Sequence, residues 1–321
     1  MTTMTCAAAL TDTDFAEHLA QLRGALETRL EQLLPGLGQE RDLLTQGMRH
    51  CTLAPGKRLR PLLLILLAED LGACAQAALQ AGCAIEMVHA ASLVLDDLPC
   101  MDDAAQRRGR PALHRAFGED VAILAAIALL SRAFGLLSTL ETLSPRTRNA
   151  LVATLSETIG VQGLVKGQLQ DLREGTAARS AEQIAQTNQL KTGVLFGAIV
   201  EMACRMAVAP PEVSRALHVF AEELGQAFQL LDDLKDGDLD TGKDSHKDQG
   251  KSTLYALCGE KGARQRLEAH LASAHQCLVQ AGVGEGRIAS LLHAFFRESR
   301  SNLAGAAGSV EHQSMNSGGM Q

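Results

Sequence analysis

Two groups of aspartates, each at the end of an apolar run, are the residues in this sequence most able to do chemistry. Burying such a group of carboxylates without a partner costs much free energy, so two of them indicate a shared cation. Hard oxygen ligands few in number suit Mg²⁺, which completes its coordination with water and substrate phosphates. The acidic residues are Asp96, Asp97, Asp102 and Asp103 in the first group, and Asp232, Asp233 and Asp236 in the second.

The spacing of the acids differs between the two groups. Asp232 and Asp236 are four residues apart and would share one face of a helix, where they could bind one ion. Pro99 interrupts the first group, so helical periodicity cannot place Asp102, and a local bend must bring the carboxylates together. Taken alone, the second group is a weak signal, and an isolated copy of it more often indicates a solvated acidic helix end than a metal site. An acidic helix C-terminus is electrostatically unfavourable without a cation, which favours metal binding at the first group.

Basic residues supply the complementary charge. Arginine binds phosphate oxygens through two parallel hydrogen bonds, whereas lysine acts as a point charge. Acidic groups for metals and separate basic groups together imply a polyanionic substrate held partly through metal and partly directly. Any one of these residues could instead be a solvated surface charge. The set comprises Lys57, Arg58, Arg60, Arg107, Arg108, Arg110, Lys191, Lys243 and Lys251.

Composition predicts the class of fold that must position these groups. The 321-residue chain is 46% hydrophobic but only 3% aromatic, and Ala and Leu dominate. These residues favour helices, so we expect an all-α protein. The net charge of −7 argues against a general nucleic-acid binder, which is normally basic.

The eight cysteines and the N-terminus bear on the compartment. No CxxC pair occurs, which argues against a zinc site or a disulfide framework and favours free thiols in a reducing compartment. The N-terminus lacks the basic and apolar segments of a signal peptide. The apolar run Ala122–Leu130 is too short for a membrane span, which needs about 20 residues. We expect a soluble, cytoplasmic protein.

Apolar periodicity predicts one helical bundle domain over residues 1–303, with residues 1–11 disordered at its start and a flexible tail over 304–321. The helix that ends at the first aspartate group is apolar nearly all round, so it should lie at the centre of the bundle. No strand alternation of useful length appears. The predicted helices are 12–34, 40–51, 62–71, 75–95, 119–140, 145–171, 181–206, 211–234, 252–280 and 287–303.

Five segments, in the same order, give the chain a specific resemblance. They are GKRLRP (56–61), EMVHAASLVLDDLPCMDDAAQRRGRPALH (86–114), GQLQDL (167–172), KTGVLF (191–196) and FQLLDDLKDGDLDTGKDSHKDQGKSTL (228–254). The sequence resembles trans-isoprenyl diphosphate synthases, and most closely the bacterial geranylgeranyl diphosphate synthases of carotenoid pathways. This implies the helical isoprenoid synthase fold, with a central active-site cavity.

The resemblance also implies a role for each matching residue. Mg²⁺, three ions per active site, would bridge an allylic diphosphate to Asp96, Asp102, Asp232 and Asp236, with Asp97 and Asp233 supporting that shell. The same diphosphate would be held by Arg107, Lys191, Thr192, Gln229, Lys243 and Lys251. The second substrate, isopentenyl diphosphate, would be held by Lys57, Arg60, His89 and Arg108. The catalytic set would be the six aspartates and Lys191. Relatives are commonly homodimers.

Three further positions leave alternatives open. His89 either contributes to the isopentenyl diphosphate site or is a core histidine. Gln168 and Asp171 either line the site or cap a helix end. Lys235 stands where the family often has an apolar residue, and it either tempers the local negative charge or points to solvent.

The length of the product is predicted from the helix before the first aspartate group. Ala91 lies about 7.5 Å before Asp96 along the helix axis, and C15-producing relatives place an aromatic there. The small Ala91 and Ser92 therefore imply growth to C20, with Met87 and Val88 as the floor of the pocket. The alternative for Ala91 is simple packing against a neighbouring helix.

The alternative functions are a farnesyl diphosphate synthase, a terpene cyclase of the same fold, and a non-catalytic regulatory subunit. Cyclases typically carry a different second motif and lack the second basic set, and regulatory subunits usually have eroded aspartates. The choice among C5, C10 and C15 allylic primers, and the pathway served, stay open.

Overall fold

A computed structural model describes residues 12–38, 42–174, 179–237, 254–284 and 286–297. The described chain is almost entirely helical, so the predicted all-α class is confirmed. The helices are α1 Asp12–Leu33, α2 Leu43–Thr52, α3 Leu59–Asp70, α4 Ala75–Asp96, α5 Leu113–Phe117, α6 Glu119–Ser138, α7 Pro145–Ile159, α8 Leu164–Glu174, α9 Ala181–Asn188, a π-helical turn Gln189–Gly193, α10 Val194–Ala207, α11 Pro211–Gly237, α12 Leu254–Gln280, and α13 over 287–297.

Local sequence signals account for several helix ends. The Ser144 hydroxyl accepts a hydrogen bond from the Thr147 amide, and Pro145 occupies the first position of α7. Ser180 and Gln183 form a reciprocal capping box at the start of α9. Gly72, with φ of 81°, follows the end of α3 in a left-handed conformation that favours glycine. These signals explain why the predicted boundaries fall close to the observed ones.

The centre of the bundle is α4, as its apolar sequence predicts. Its residues from Ala81 to Val88 are all buried. The helix packs against α3 and α6, and also against α1, α2 and α10. Because α4 ends at Asp96, the first aspartate group begins at the end of a helix enclosed by five others.

Two predicted helices needed correction. Residues 145–171 do not form one helix, because the chain turns at 160–163, where a Cβ on Gly163 would lie 1.9 Å from the Thr158 carbonyl oxygen. Residues 181–206 contain a π-helical turn at 189–193. A two-residue antiparallel ladder, Gln106–Arg107 (β1) with Arg110–Pro111 (β2), and the short α5 were also missed, since neither has a periodic pattern of useful length.

Several predictions fall wholly or partly outside the described residues. They concern the disordered start at 1–11, the tail at 304–321, and the ends of the predicted helices 40–51, 252–280 and 287–303. The cysteines within the described ranges are all free thiols, in agreement with the prediction.

Two helices have the length and hydropathy of a membrane span. These are α4 and α6, and 67% and 44% of their apolar windows, respectively, are buried inside the protein. Burial in a bundle core gives the same composition as burial in lipid, so this similarity is weak evidence for a membrane span.

Candidate active site

The first aspartate group is shaped by a tight turn after α4. The Asp102 amide donates to the Asp96 carbonyl oxygen at 2.9 Å, and the Ala104 amide donates to the Asp97 carbonyl oxygen at 3.1 Å. The chain therefore folds back through Pro99 and returns Asp102 to Asp96. The bend expected from the sequence is present. It brings Asp102 next to Asp96, which the periodicity of a regular helix would not do.

Like charges are concentrated at this turn. The pKa of the Asp96 carboxyl is raised to about 6, chiefly by burial and also by the Asp102 and Asp97 carboxylates, while the positive charges of Lys191 and Arg107 oppose the shift. Both a cation and a proton would relieve this repulsion. The turn is thus electrostatically suited to receive a divalent ion.

Asp97 has a different partner from its neighbour. Its buried carboxylate accepts hydrogen bonds from Arg107 Nε at 2.9 Å and from Arg107 Nη2 at 2.5 Å. Arg107 is carried by the β1–β2 hairpin, in which Arg108 and Gly109 have φ of 53° and 74°. Asp97 therefore orients the arginine that was predicted to hold the allylic diphosphate.

In the second aspartate group, the adjacent residues Asp232 and Asp233 have different surroundings. The Gln229 amide nitrogen donates to Asp233 Oδ1 at 2.9 Å, and the Thr192 hydroxyl donates to Gln229 Oε1 at 3.3 Å. Asp233 is buried, whereas the side chain of Asp232 is half-exposed, with its Oδ1 3.8 Å from Lys235 Nζ. The chain Thr192–Gln229–Asp233 thus links the KTG segment to this group.

Some predicted residues cannot be placed. Asp236 belongs to the last turn of α11, and its side chain lies outside the described part of the structure, as do Lys243 and Lys251 entirely.

The KTG segment forms the end of the π-helical turn, and two helices, α8 and α11, approach this turn backbone to backbone. A Cβ on Gly167 of α8 would lie 2.4 Å from the Lys191 backbone nitrogen, and a Cβ on Gly225 of α11 would lie 2.9 Å from the Gly193 Cα atom. Such separations exclude any side chain larger than hydrogen. Glycines on α8 and α11 therefore allow the close approach that fixes the position of Lys191 and Thr192.

The GQLQDL segment (167–172) belongs to α8 and contacts the π-helical turn through Asp171. The Asp171 carboxylate accepts a bond from Lys191 Nζ at 2.8 Å. Both amide atoms of Gln168 are buried and have no hydrogen-bond partner among the described residues. Asp171 thus pairs with a predicted substrate-binding lysine rather than capping a helix, and Gln168 retains buried polar atoms that a ligand could satisfy.

The two arginines of the KRLR segment are held in different ways. Arg58, in the left-handed conformation with φ of 52°, donates to Glu86 Oε1 at 2.5 Å and to the Ala54 carbonyl oxygen at 2.8 Å. Arg60 instead lies against two aromatic rings, 5.0 Å from the Phe196 centroid and 4.9 Å from that of Phe228. Arg60, and not Arg58, belongs to the predicted isopentenyl diphosphate site, and this assignment stays a prediction.

Glu86 is a residue whose importance the sequence reasoning missed. It is 1% exposed, pairs with Arg58, and lies 3.6 Å from Arg108 Nη1. A buried carboxylate is costly unless paired, and here it balances arginines from two separate segments. The signal available in the sequence was an isolated acid within the apolar run of α4.

His89 lies half-buried among arginines. Burial lowers the pKa of its imidazole well below the usual value, and the positive charges of Arg60 and Arg108 lower it further. The imidazole is therefore neutral at physiological pH and offers one donor and one acceptor. His89 thus interacts electrostatically with Arg60 and Arg108, and its role in binding isopentenyl diphosphate stays a prediction.

The four positions predicted to set product length are small or buried. Ala91, Met87 and Val88 are completely or almost completely buried, whereas Ser92 is half-buried and donates to the His89 carbonyl oxygen at 2.9 Å. Ser92 lies four residues before Asp96 and so on the same face of α4. Their role in chain length stays a prediction.

The acids fit Mg²⁺ rather than a self-contained metal cage. Within the described ranges, no three acidic, histidine or cysteine side chains converge closely enough to enclose an ion. Mg²⁺ is usually bound by one or two carboxylates together with water and substrate phosphates. Asp96 and Asp102, returned to each other by the turn, supply that kind of partial oxygen shell.

Comparisons with known proteins identify the family. A model of the polyprenyl synthetase family matches residues 41–280. The geranylgeranyl diphosphate synthase of Pantoea ananas is 55% identical over 261 residues, which cover 80% of this chain and 86% of that protein. The geranylgeranyl diphosphate synthase of Pseudescherichia vulneris is 45% identical over 277 residues, covering 86% and 90%. The chain therefore belongs to the polyprenyl synthetase family, and the resemblance read from its motifs is confirmed.

A solved structure shares the fold. A geranyltransferase from Helicobacter pylori, complexed with magnesium and isoprenyl diphosphate, matches with a TM-score of 0.80 and 26% identity over 91% of this chain and 100% of that one. This agrees with the helical isoprenoid synthase fold expected from the sequence.

The close contact at Gly167 gives a first prediction. In Gly167→Ala, the added methyl group must push the Lys191 backbone away, so we expect the free energy of unfolding to fall by about 1–3 kcal/mol. Turnover should fall as well, because Lys191 is displaced. Thermal unfolding and steady-state kinetics measure both effects.

Gly197→Ala is the matched control. A Cβ at Gly197 in α10 would meet no atom within 4 Å, so this change should leave activity intact and stabilise by up to about 1 kcal/mol. A Gly167→Ala protein as stable and active as the parent would contradict the packing argument.

Proposed function

We propose that this chain condenses isopentenyl diphosphate with allylic diphosphates, head to tail and in the trans configuration, to give geranylgeranyl diphosphate. One observation carries the proposal: charges from both aspartate groups interact with the predicted diphosphate-binding cations. Asp96 at the end of α4 interacts with Lys191, and Asp232 on α11 interacts with Arg60 of α3. Four separate segments thus contribute to one charged region, as a site for two diphosphates requires.

The proposed division of labour follows the contacts. Asp96, Asp102, Asp232 and Asp236 would hold Mg²⁺, which when bound supplies positive charge against the departing pyrophosphate. Three ions per site are proposed from the family resemblance. The side chains that would hold the allylic diphosphate are Arg107, oriented by Asp97, Lys191, oriented by Asp171, Thr192, Gln229, Lys243 and Lys251. The isopentenyl diphosphate would lie against Lys57, Arg60, His89 and Arg108.

The reaction needs no nucleophilic side chain. The bond between the allylic carbon and its diphosphate oxygen breaks, and the electron pair leaves with pyrophosphate, whose charge Lys191 and Arg107 stabilise. The double bond of isopentenyl diphosphate attacks the allylic cation. A proton is then lost to the released pyrophosphate, which leaves a new trans double bond. The apolar helices around the site keep water from the cation.

The C20 product is supported by the small Ala91 and Ser92 on α4 and by the activity of the two geranylgeranyl diphosphate synthases described above. We further propose one catalytic domain over 1–303 with a tail over 304–321, in a cytoplasmic protein without stable membrane insertion.

We also propose a homodimer, formed through the outer face of α6. Three large apolar side chains are exposed on this helix: Ile123 at 41%, Leu124 at 54% and Ile127 at 57%. A contiguous apolar patch of this kind is typical of an interface.

Ile127→Glu tests the dimer. A charge in the centre of the α6 face should shift the protein from dimer to monomer in analytical ultracentrifugation. The matched control is Leu169→Glu, which alters an equally exposed residue, at 55%, on α8. A parent protein that sediments as a monomer, or an Ile127→Glu dimer of unchanged affinity, would refute this interface.

The aspartate groups give a direct test of the chemistry. Asp96→Asn and Asp232→Asn each remove one ligand charge, so we expect turnover to fall by about a hundredfold or more. Asp103→Asn is the control, because Asp103 is exposed in the same turn and pairs with Arg115 at 2.8 Å. Incubation with labelled isopentenyl diphosphate, each primer and Mg²⁺ provides the assay. Near-normal rates in Asp96→Asn or Asp232→Asn would exclude the two-group model.

Product length is tested at Ala91. Ala91→Tyr should shorten the main product from C20 to C15 by filling the space along α4, whereas Ala91→Ser should keep C20. Product chain length is read by chromatography of the dephosphorylated alcohols, alongside a thermal unfolding curve. A folded Ala91→Tyr enzyme that still makes the C20 product would show that Ala91 does not set the length of the product.

A further inference from the structure

Half of the phenylalanines in this chain gather into one cluster. Only 8 of 321 residues are Phe, and four of them, Phe196, Phe228, Phe295 and Phe296, form a continuous series of ring contacts. Phe228 and Phe295 stack with centroids 5.7 Å apart and planes inclined by 18°. Phe296 meets Phe295 edge to face at 5.3 Å. In so aromatic-poor a chain, this concentration calls for a specific reason.

Cationic side chains cover the faces of these rings. Lys57 Nζ lies 5.0 Å from the Phe295 centroid, and Lys235 Nζ lies 6.0 Å from the same centroid. The Arg60 guanidinium lies about as close to both Phe196 and Phe228, as described above. These distances are within the range of cation–π attraction. The cluster therefore supports two of the residues proposed to bind isopentenyl diphosphate, Lys57 and Arg60.

An aromatic face holds a cation without consuming its hydrogen-bond donors. Arg58, two residues from Arg60, gives hydrogen bonds to Glu86 and to a backbone oxygen. Nε is buried without a hydrogen-bond partner among the described residues in both arginines, and Arg60 differs in that its guanidinium lies against rings and not against a carboxylate. A guanidinium fixed by rings keeps its N–H groups for an anion.

Phe295 is brought to this place by α13. At the start of α13, Arg287 donates to Asp70 Oδ1 at 2.6 and 2.9 Å and to Glu69 Oε2 at 2.8 Å, all at the end of α3. At the other end of α13, Phe295 lies under Lys57, just before α3 begins. The two helices therefore run antiparallel, and contacts at both ends fix Phe295 against the basic segment.

We propose that Phe295 is a positioning residue for isopentenyl diphosphate, holding Lys57 through its own ring and Arg60 through the stacked ring of Phe228. The inference rests on the proposed function and deepens it, because it makes α13 part of the second substrate's site. Phe295 does not touch the reacting atoms. Its effect belongs to the binding of one substrate and not to the bond-breaking step.

The test compares two adjacent phenylalanines. Phe295→Leu keeps an apolar side chain but removes the ring beneath Lys57, so KM for isopentenyl diphosphate should rise about fivefold, as expected for loss of a cation–π contact. The KM for the allylic substrate and kcat should stay within about twofold of the parent. Phe296→Leu alters a buried neighbour whose ring has no cation over it among the described residues, and it should leave every kinetic constant within about twofold, even if Tm falls.

Two further measurements complete the test. Phe295→Tyr restores an aromatic face and should recover the parental KM. Calorimetric titration of each variant with isopentenyl diphosphate, in the absence of Mg²⁺ and primer, should reproduce the order of affinities seen in the kinetics.

The outcomes separate the two proposals. An unchanged KM in Phe295→Leu, an equal rise in Phe296→Leu, or failure of Phe295→Tyr to recover would overturn the positioning role. A parent enzyme that forms no prenyl product from isopentenyl diphosphate would overturn the proposed function. The titration would then still report whether Phe295 affects diphosphate binding.

Discussion

Several carboxylates of like charge lie close together at the end of α4, and the rest of the site is arranged to compensate for this repulsion. Asp97 is buried and Asp96 and Asp102 are half-buried at the end of α4, and burial together with the neighbouring carboxylates raises the pKa of Asp96. Such a group is tolerated only where opposite charges come from elsewhere, and here they come from the hairpin through Arg107 and from the π-helical turn through Lys191. The same features that make the acids costly to bury also prepare them for a divalent ion and a diphosphate.

Close backbone packing fixes the positions of these opposite charges relative to one another. At the KTG turn, α8 and α11 come near enough that only glycine fits at Gly167 and Gly225. Lys191 is then held between the carboxylate of Asp171 and the field of Asp96. A π-helical turn at this point is consistent with the frequent use of such turns at functional sites.

The cationic side chains are held in two different ways. Arg58 and Arg108 are balanced by the buried carboxylate of Glu86, and Lys57 and Arg60 rest on phenylalanine rings. The carboxylate accepts hydrogen bonds from Arg58, whereas the rings contact the Arg60 guanidinium without using its donors. The basic region therefore contains a fixed framework at Arg58 and a guanidinium at Arg60 that can donate to a second anion.

The sequence by itself determined the helical class, most helix positions, the two aspartate groups and the family. These follow from local periodicity, from caps such as Ser144 and from motif spacing, all of which reside in neighbouring residues. Only the tertiary structure decided that Arg58 and not the nearby Arg60 is paired with a carboxylate, that Glu86 supplies this carboxylate, and that Phe295 reaches Lys57. Arg58 and Arg60 are chemically identical, and their roles differ because α4 presents a carboxylate to one while α10 and α11 present rings to the other. Such partners lie far away along the chain, so no local pattern could assign them.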